Sequence, residues 1–298
     1  MNLLNIIGVI FCAVNVYGRA NPVFLAEETT AFKYFERIGI PEAERLKNEE
    51  EAFLRGNTNR IVGGGPANNN QFPYQAGLII DFAEISGNGI CGASLLSSTR
   101  LVTAAHCWFD GTNQASQYTV VLGSILLFSG GTRVQTKDVV THPEWNPARI
   151  MNDVAVIKLS DPVSLSASIS PIKLPSGSQL QEDYAGSEAV VSGFGKTTDS
   201  SGITIGQFLS NVTVDVSSNF ICTLFFPGVF QNSNICTSGL GGKGPCNGDS
   251  GGPLVVKEND SSVLIGIVSF GSSLGCSIGF PAVFTRVTSF IDFIQGHL

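Results

Sequence analysis

Charge is scarce in this sequence. Only 14% of its residues are Asp, Glu, Lys or Arg, and 17 Lys and Arg are outnumbered by 24 Asp and Glu. It has no basic cluster of the kind that neutralises phosphates, which argues against nucleic acid as a partner. Histidine occurs three times and no two cysteines have CxxC spacing, so the donor pattern of a zinc site is missing. A repeat period and a low-complexity tract are also missing, which excludes solenoids and linker-dominated chains. Beyond residue 18 no apolar run is long enough to cross a bilayer, and no membrane partner is expected. Hydrophobic residues, at 43%, are plentiful enough for a sizeable core.

The chain begins with such a run, MNLLNIIGVIFCAVNVYG (1–18), which has signal-peptide length and places Val16 and Gly18 as at a cleavage site. It lacks Lys and Arg at its start, while Asn5 and Asn15 interrupt it and make a membrane anchor the weaker reading. Secretion is the expectation. Of seven cysteines, Cys12 lies in this run, and the six that remain can pair completely in an oxidising compartment. Residues 19–60 contain no cysteine, and their charged, helix-prone stretch EAERLKNEEEAFLRGNTNR reads as a solvated helical arm.

From Ile61 onward the character changes to short β-branched runs separated by Gly, Ser, Asn and Pro: RLVTAAHC, NDVAVIKL, EAVVSGFG, NVTVDVSS, GGPLVV and SVLIGIVSFG. Many short strands with turn signals between them predict an all-β barrel or sandwich. Near the C-terminus, Phe290, Ile291, Phe293 and Ile294 have helical spacing and predict a terminal helix.

One stretch fits neither helix nor strand. GPCNGDSGGP, from Gly244 to Pro253, sets an acid and a hydroxyl among glycines and prolines, so it must be a shaped loop. A serine hydroxyl becomes a nucleophile only beside a base, and the base needs an acceptor that fixes its tautomer. Ser250 in this loop, His106 in TAAHC and Asp153 in NDVAVIKL supply those three parts.

Taken in order, IVGG after Arg60, TAAHC, NDVAVIKL and GDSGGP strongly resemble the chymotrypsin-like (trypsin-like) serine endopeptidase family, over essentially all of residues 61–298. The fold this implies is all-β, with two antiparallel Greek-key β-barrels dividing near residues 173–180 and a C-terminal helix. It implies a catalytic group of Ser250, His106 and Asp153, and an oxyanion hole from the backbone N–H groups of Gly248 and Ser250. It also implies a zymogen with pro-segment 19–60, in which a trypsin-like activating protease cuts between Arg60 and Ile61 and the new α-amine pairs with Asp249. The disulfides implied are Cys91 with Cys107, Cys222 with Cys236, and Cys246 with Cys276, none of which would tether the freed pro-segment. The run IGIPEAERLK is similar, more weakly, to pro-segments of arthropod chymotrypsin-like enzymes.

The same resemblance puts Gly244 at the base of the specificity pocket, Gly271 at its mouth and Ala282 on the opposite wall. No acid stands at the base, so basic side chains are disfavoured and a slot for Phe, Tyr, Leu or Met is expected, with elastase- or collagenase-like breadth as the alternative. Ser269 is expected to hydrogen-bond near Asp153, and the backbone of 269–271 to receive substrate as an added strand. Phe270 and Phe194 stand where many relatives have Trp, and Pro245 replaces a commonly small polar residue. The loop GSILLFSGGTRV has no carboxylate, so no metal is expected there, and no cofactor anywhere. Asn211 and Asn259 match the glycosylation pattern. Expected partners are protein or peptide substrates, the activating protease and protein inhibitors, with the enzyme itself a monomer, and the role expected is digestion.

Overall fold

The computed structural model describes residues 25–56, 70–199, 209–258 and 261–298. The apolar run 1–18, Arg60, Ile61 and Asn259 lie outside the described residues. Every β-branched run singled out in the sequence contributes a strand, and the thirteen strands form two antiparallel systems.

The first is a seven-stranded sheet in the order β5-β4-β1-β2-β3-β7-β6. Its strands are β1 (Gln75–Phe82), β2 (Gly89–Ser97), β3 (Arg100–Thr103), β4 (Ala115–Leu122), β5 (Thr132–Thr136), β6 (Val139–Thr141) and β7 (Ala155–Lys158). Ladder pairing does not close this sheet. Its outer strands, β5 and β6, are consecutive and joined through only Lys137 and Asp138, so one bent stretch of chain serves both edges and curls the sheet. The Thr136 hydroxyl donates to the Lys158 carbonyl at the bend (2.6 Å), and Lys158 N–H donates to the Asp138 carbonyl (2.9 Å).

The second system is a closed barrel, β10-β13-β12-β11-β8-β9. It comprises β8 (Glu188–Gly193), β9 (Ser210–Ser217), β10 (Asn234–Thr237), β11 (Pro253–Glu258), β12 (Ser261–Phe270) and β13 (Ala282–Arg286). β9 alternates exposed and covered residues, as a strand with one wet face should, whereas β12 is buried along most of its length. Asn211 is exposed on β9.

Helices are few. A 3-10 turn (Val287–Phe290) leads into the short C-terminal helix, which buries Phe290 and Ile294 against the first sheet's core. Helix α1 (Ile40–Leu54) follows a π-helical turn (Phe35–Gly39), and α2 (Asn219–Phe225) precedes β10. The three disulfides join the pairs implied by the resemblance.

In one respect the structure departs from the sequence reading. The charged arm is helical, yet it is not solvated throughout: Tyr34, Phe35, Ile38, Ala43 and Leu46 enter the same core cluster as β1, β2 and β4. The charges themselves explain how it docks. Glu42 is buried because Lys196 and Arg45 meet it (both 2.6 Å), and Glu50 is buried because it accepts the N–H groups of Leu127 (2.6 Å) and Phe128 (2.9 Å). Burial pushes the Glu50 carboxyl up from its ordinary value, and these two bonds pull against the shift.

Candidate active site

Three loops at the ends of strands bring the chemistry together. His106 sits in a 3-10 turn (Ala105–Cys107) directly after β3, Asp153 lies just before β7, and Ser250 just before β11. His106 and Asp153 are both buried, and the His106 Nδ1 to Asp153 Oδ2 distance is 2.8 Å. The other carboxylate oxygen accepts the His106 backbone N–H at 2.9 Å. With two oxygens on one residue, Asp153 holds both the backbone and the ring of His106. Ser269 donates its hydroxyl to Asp153 Oδ2 (2.6 Å), and Thr285 donates to the Asp153 carbonyl (2.6 Å). This surround satisfies a buried carboxylate and orients the imidazole, with Nδ1 toward the acid.

Ser250 lies on the same side of the molecule. Its carbonyl accepts Gly92 N–H (2.7 Å) and lies 3.7 Å from the sulfur of Cys107, the residue after His106. Gly248 has φ +101, and a Cβ there would stand 2.9 Å from the Gly195 Cα, so only glycine fits both the turn and the close approach. Among the described residues, the N–H groups of Gly248 and Ser250 donate to no other backbone or side-chain group.

Asp249 turns inward. It accepts the N–H of Gly195 (2.8 Å) and of Cys246 (2.9 Å), and a side chain at Gly195 would run into its carboxylate. Burial pushes this carboxyl up to about 6, those two hydrogen bonds oppose the rise, and nearby Glu42 adds to it while Arg45 counters it.

A cavity beside Ser250 is lined by Gly244, Pro245, Phe270, Gly271, Phe280 and Ala282. The expected pocket residues thus share one wall system with the expected nucleophile. A Cβ built on Gly244 would reach the Ala282 Cβ only at 3.9 Å, and one on Gly271 would meet nothing within 4 Å. No carboxylate lines this cavity, and its charged lining residue is Lys243.

The Trypsin family model matches residues 61–294. The chain belongs to the trypsin family of serine endopeptidases. It is 40% identical over 237 residues to a collagenase of Hypoderma lineatum, covering 79% of this chain and 86% of that protein. It is also 40% identical over 238 residues to brachyurin of Leptuca pugilator, covering 79% and 97%. The solved structure of HL collagenase superposes with a TM-score of 0.71 at 39% identity, over 80% of this chain and 98% of that one. As a member of this family the chain is a serine endopeptidase whose substrates are proteins.

The motifs of this trypsin-family chain did not foretell the residues that cover its site. Tyr34 is completely buried, with its ring 4.9 Å from the His106 ring and its hydroxyl donating to the Ile90 carbonyl (2.8 Å). Burial pushes the Tyr34 phenol well above its ordinary value, and a contact with the Ser250 side chain opposes this. His106 Nε2 is buried with no hydrogen-bond partner among the described residues. Thr30 also lines the pocket cavity. A partial signal was available in the sequence: the apolar Ile40, Ala43 and Leu46 recur at three-residue spacing along one side of the helix.

Proposed function

We propose that this chain is a secreted zymogen, activated by cleavage between Arg60 and Ile61, whose mature form hydrolyses peptide bonds after bulky apolar residues through an acyl-enzyme. The observation that carries the reading is the buried His106 and Asp153 pair at 2.8 Å, beside Ser250 and a pocket whose lining includes no carboxylate. In the proposed reaction His106 Nε2 takes the Ser250 proton as the hydroxyl oxygen attacks the scissile carbonyl carbon. The developing oxyanion is held by the N–H groups of Gly248 and Ser250, and His106 then passes its proton to the leaving amine. Water repeats the sequence on the ester and frees Ser250. Asp153, held by Ser269, orients His106 and stabilises its charged form.

Specificity follows from what the pocket lacks. Burying a lysine or arginine head without an opposing carboxylate costs several kcal/mol, about the scale of an unpaired buried charge. A flat aromatic or a leucine side chain meets no such penalty between Gly244, Gly271 and Ala282. Broader, collagenase-like cleavage is the second reading, favoured by the Hypoderma lineatum collagenase at 40% identity. Activation draws its support from Asp249, whose buried carboxyl is held near neutrality in the uncut chain and would welcome the Ile61 amine as a counter-ion. A digestive role for a monomer outside the cell is the setting proposed.

The test is to cut the purified precursor with trypsin, strip the released segment in mild denaturant, and assay peptides carrying Phe, Leu, Ala or Arg before the scissile bond, with gelatin alongside. Phe and Leu should lead. Preference for Arg would overturn the pocket assignment, comparable rates for Ala and Leu with gelatin cleavage would favour the broader reading, and silence on all substrates would reject the reaction.

A further inference from the structure

We infer that the pro-segment is a folded inhibitor of its own enzyme, which fills the substrate site and stays bound, without any covalent link, after the chain is cut. This rests on the proteolytic reading above. It adds that cleavage alone does not activate and that the freed peptide inhibits when added back.

The pro-segment engages the cleft through one antiparallel bridge and the hydrogen bonds on either side of it. Thr29 pairs antiparallel with Ser272, Thr30 N–H donates to the Gly271 carbonyl (3.1 Å), Gly271 N–H donates to the Thr30 hydroxyl (2.9 Å), and Ser273 N–H donates to the Glu28 carbonyl (2.8 Å). Gly271 belongs to the 269–271 backbone proposed to receive a substrate strand, so segment and substrate would compete there. Beyond the bridge, Lys33 takes φ +47 and the chain turns into the helical segment.

The turn delivers Tyr34 onto His106, with its hydroxyl tied to Ile90. Asp110 fixes the next residue by accepting Phe35 N–H (2.9 Å), and the Phe35 ring packs edge-on against Phe82 (4.8 Å). Glu42 on Lys196 and Glu50 on the 127–128 backbone anchor the two ends of α1. A buried aromatic plug, a β-bridge and two satisfied buried carboxylates are features of an interface that outlasts a cut in the chain.

The experiment starts from the full precursor, cut at Arg60 and passed over a sizing column without denaturant. The pro-segment should co-elute with the protease domain. A fluorescent peptide of residues 25–56 should bind the stripped domain with a dissociation constant of about 1 μM or tighter, and should inhibit competitively with substrate. Tyr34→Ala and Glu50→Ala in the peptide should each weaken binding at least about tenfold, while Asn48→Ala, at an exposed position, should not. Failure to bind, non-competitive inhibition, or equal affinity for all four peptides overturns the inference. Fluorescence binding needs no turnover, so a domain that binds the peptide but hydrolyses nothing supports this inference while rejecting the reaction, and an active domain that ignores the peptide does the reverse.

Discussion

Asp249 is a carboxylate in two different situations. In the uncut chain its folded pKa, about 6, lies above the ordinary 3.8. As pH rises from about 4 to about 6 the unfolded chain releases this proton while the folded chain keeps it, so stability falls, by about 3 kcal/mol in full. Urea midpoints of the precursor and its Asp249→Asn variant should therefore diverge in favour of the variant between pH 4 and pH 7. The amide loses one acceptor contact, but that offset does not vary with pH. A constant difference would reject the raised pKa. After the proposed cut the sign reverses, since a buried pair with the Ile61 amine needs the charge, and the same variant should lose nearly all activity.

Gly244 offers a second residue-scale test. Its Cβ position is open, so Gly244→Asp should fold, but the new carboxylate would stand in a slot built for apolar groups. A drop in kcat/KM of about tenfold or more on Phe and Leu peptides is expected, set by the cost of desolvating that charge. Unchanged kinetics on these peptides would place the pocket base elsewhere.

Among the elements, strands were the most legible. RLVT, AVIK and EAVVSG carry the β-branched residues and flanking turn signals that their positions in the two sheets require. The loops that carry His106, Asp153 and Ser250 could be singled out because the proposed reaction dictates residue type at each. Helix α1 could be read as a helix, but its docking could not be read from charge, because a buried Glu looks the same in sequence as a solvated one until its partners on distant loops are known. Lys196 and the Leu127 and Phe128 amides lie far along the chain, which no local pattern encodes. The docking predicts a bounded effect: Leu46→Ala removes a fully buried side chain, worth about 2–5 kcal/mol. The thermal midpoint of the precursor should fall toward that of the stripped domain and stop there, since beyond that point the arm detaches while the barrels persist. A midpoint well below that of the stripped domain would mean that α1 is integral to the protease core.

At the scale of the molecule, two β-systems supply the rigid frame and the segment between residues 25 and 56 spans part of its face. If release follows cleavage, activation has a bimolecular reverse step. The lag between disappearance of the uncut chain and appearance of activity should lengthen at high protein concentration and vanish on dilution to well below the peptide's dissociation constant. A lag independent of concentration would point to a slow rearrangement within the cut domain.

The short pairing of Thr29 with Ser272 has one more consequence. Bare strand borders invite other chains to stack on them, and a protease must keep such a border open to work. In the precursor that border is already occupied by a piece of the same polypeptide. If the proposed cut releases the segment, this margin passes from cover by its own chain to cover by a substrate and is bare only between the two.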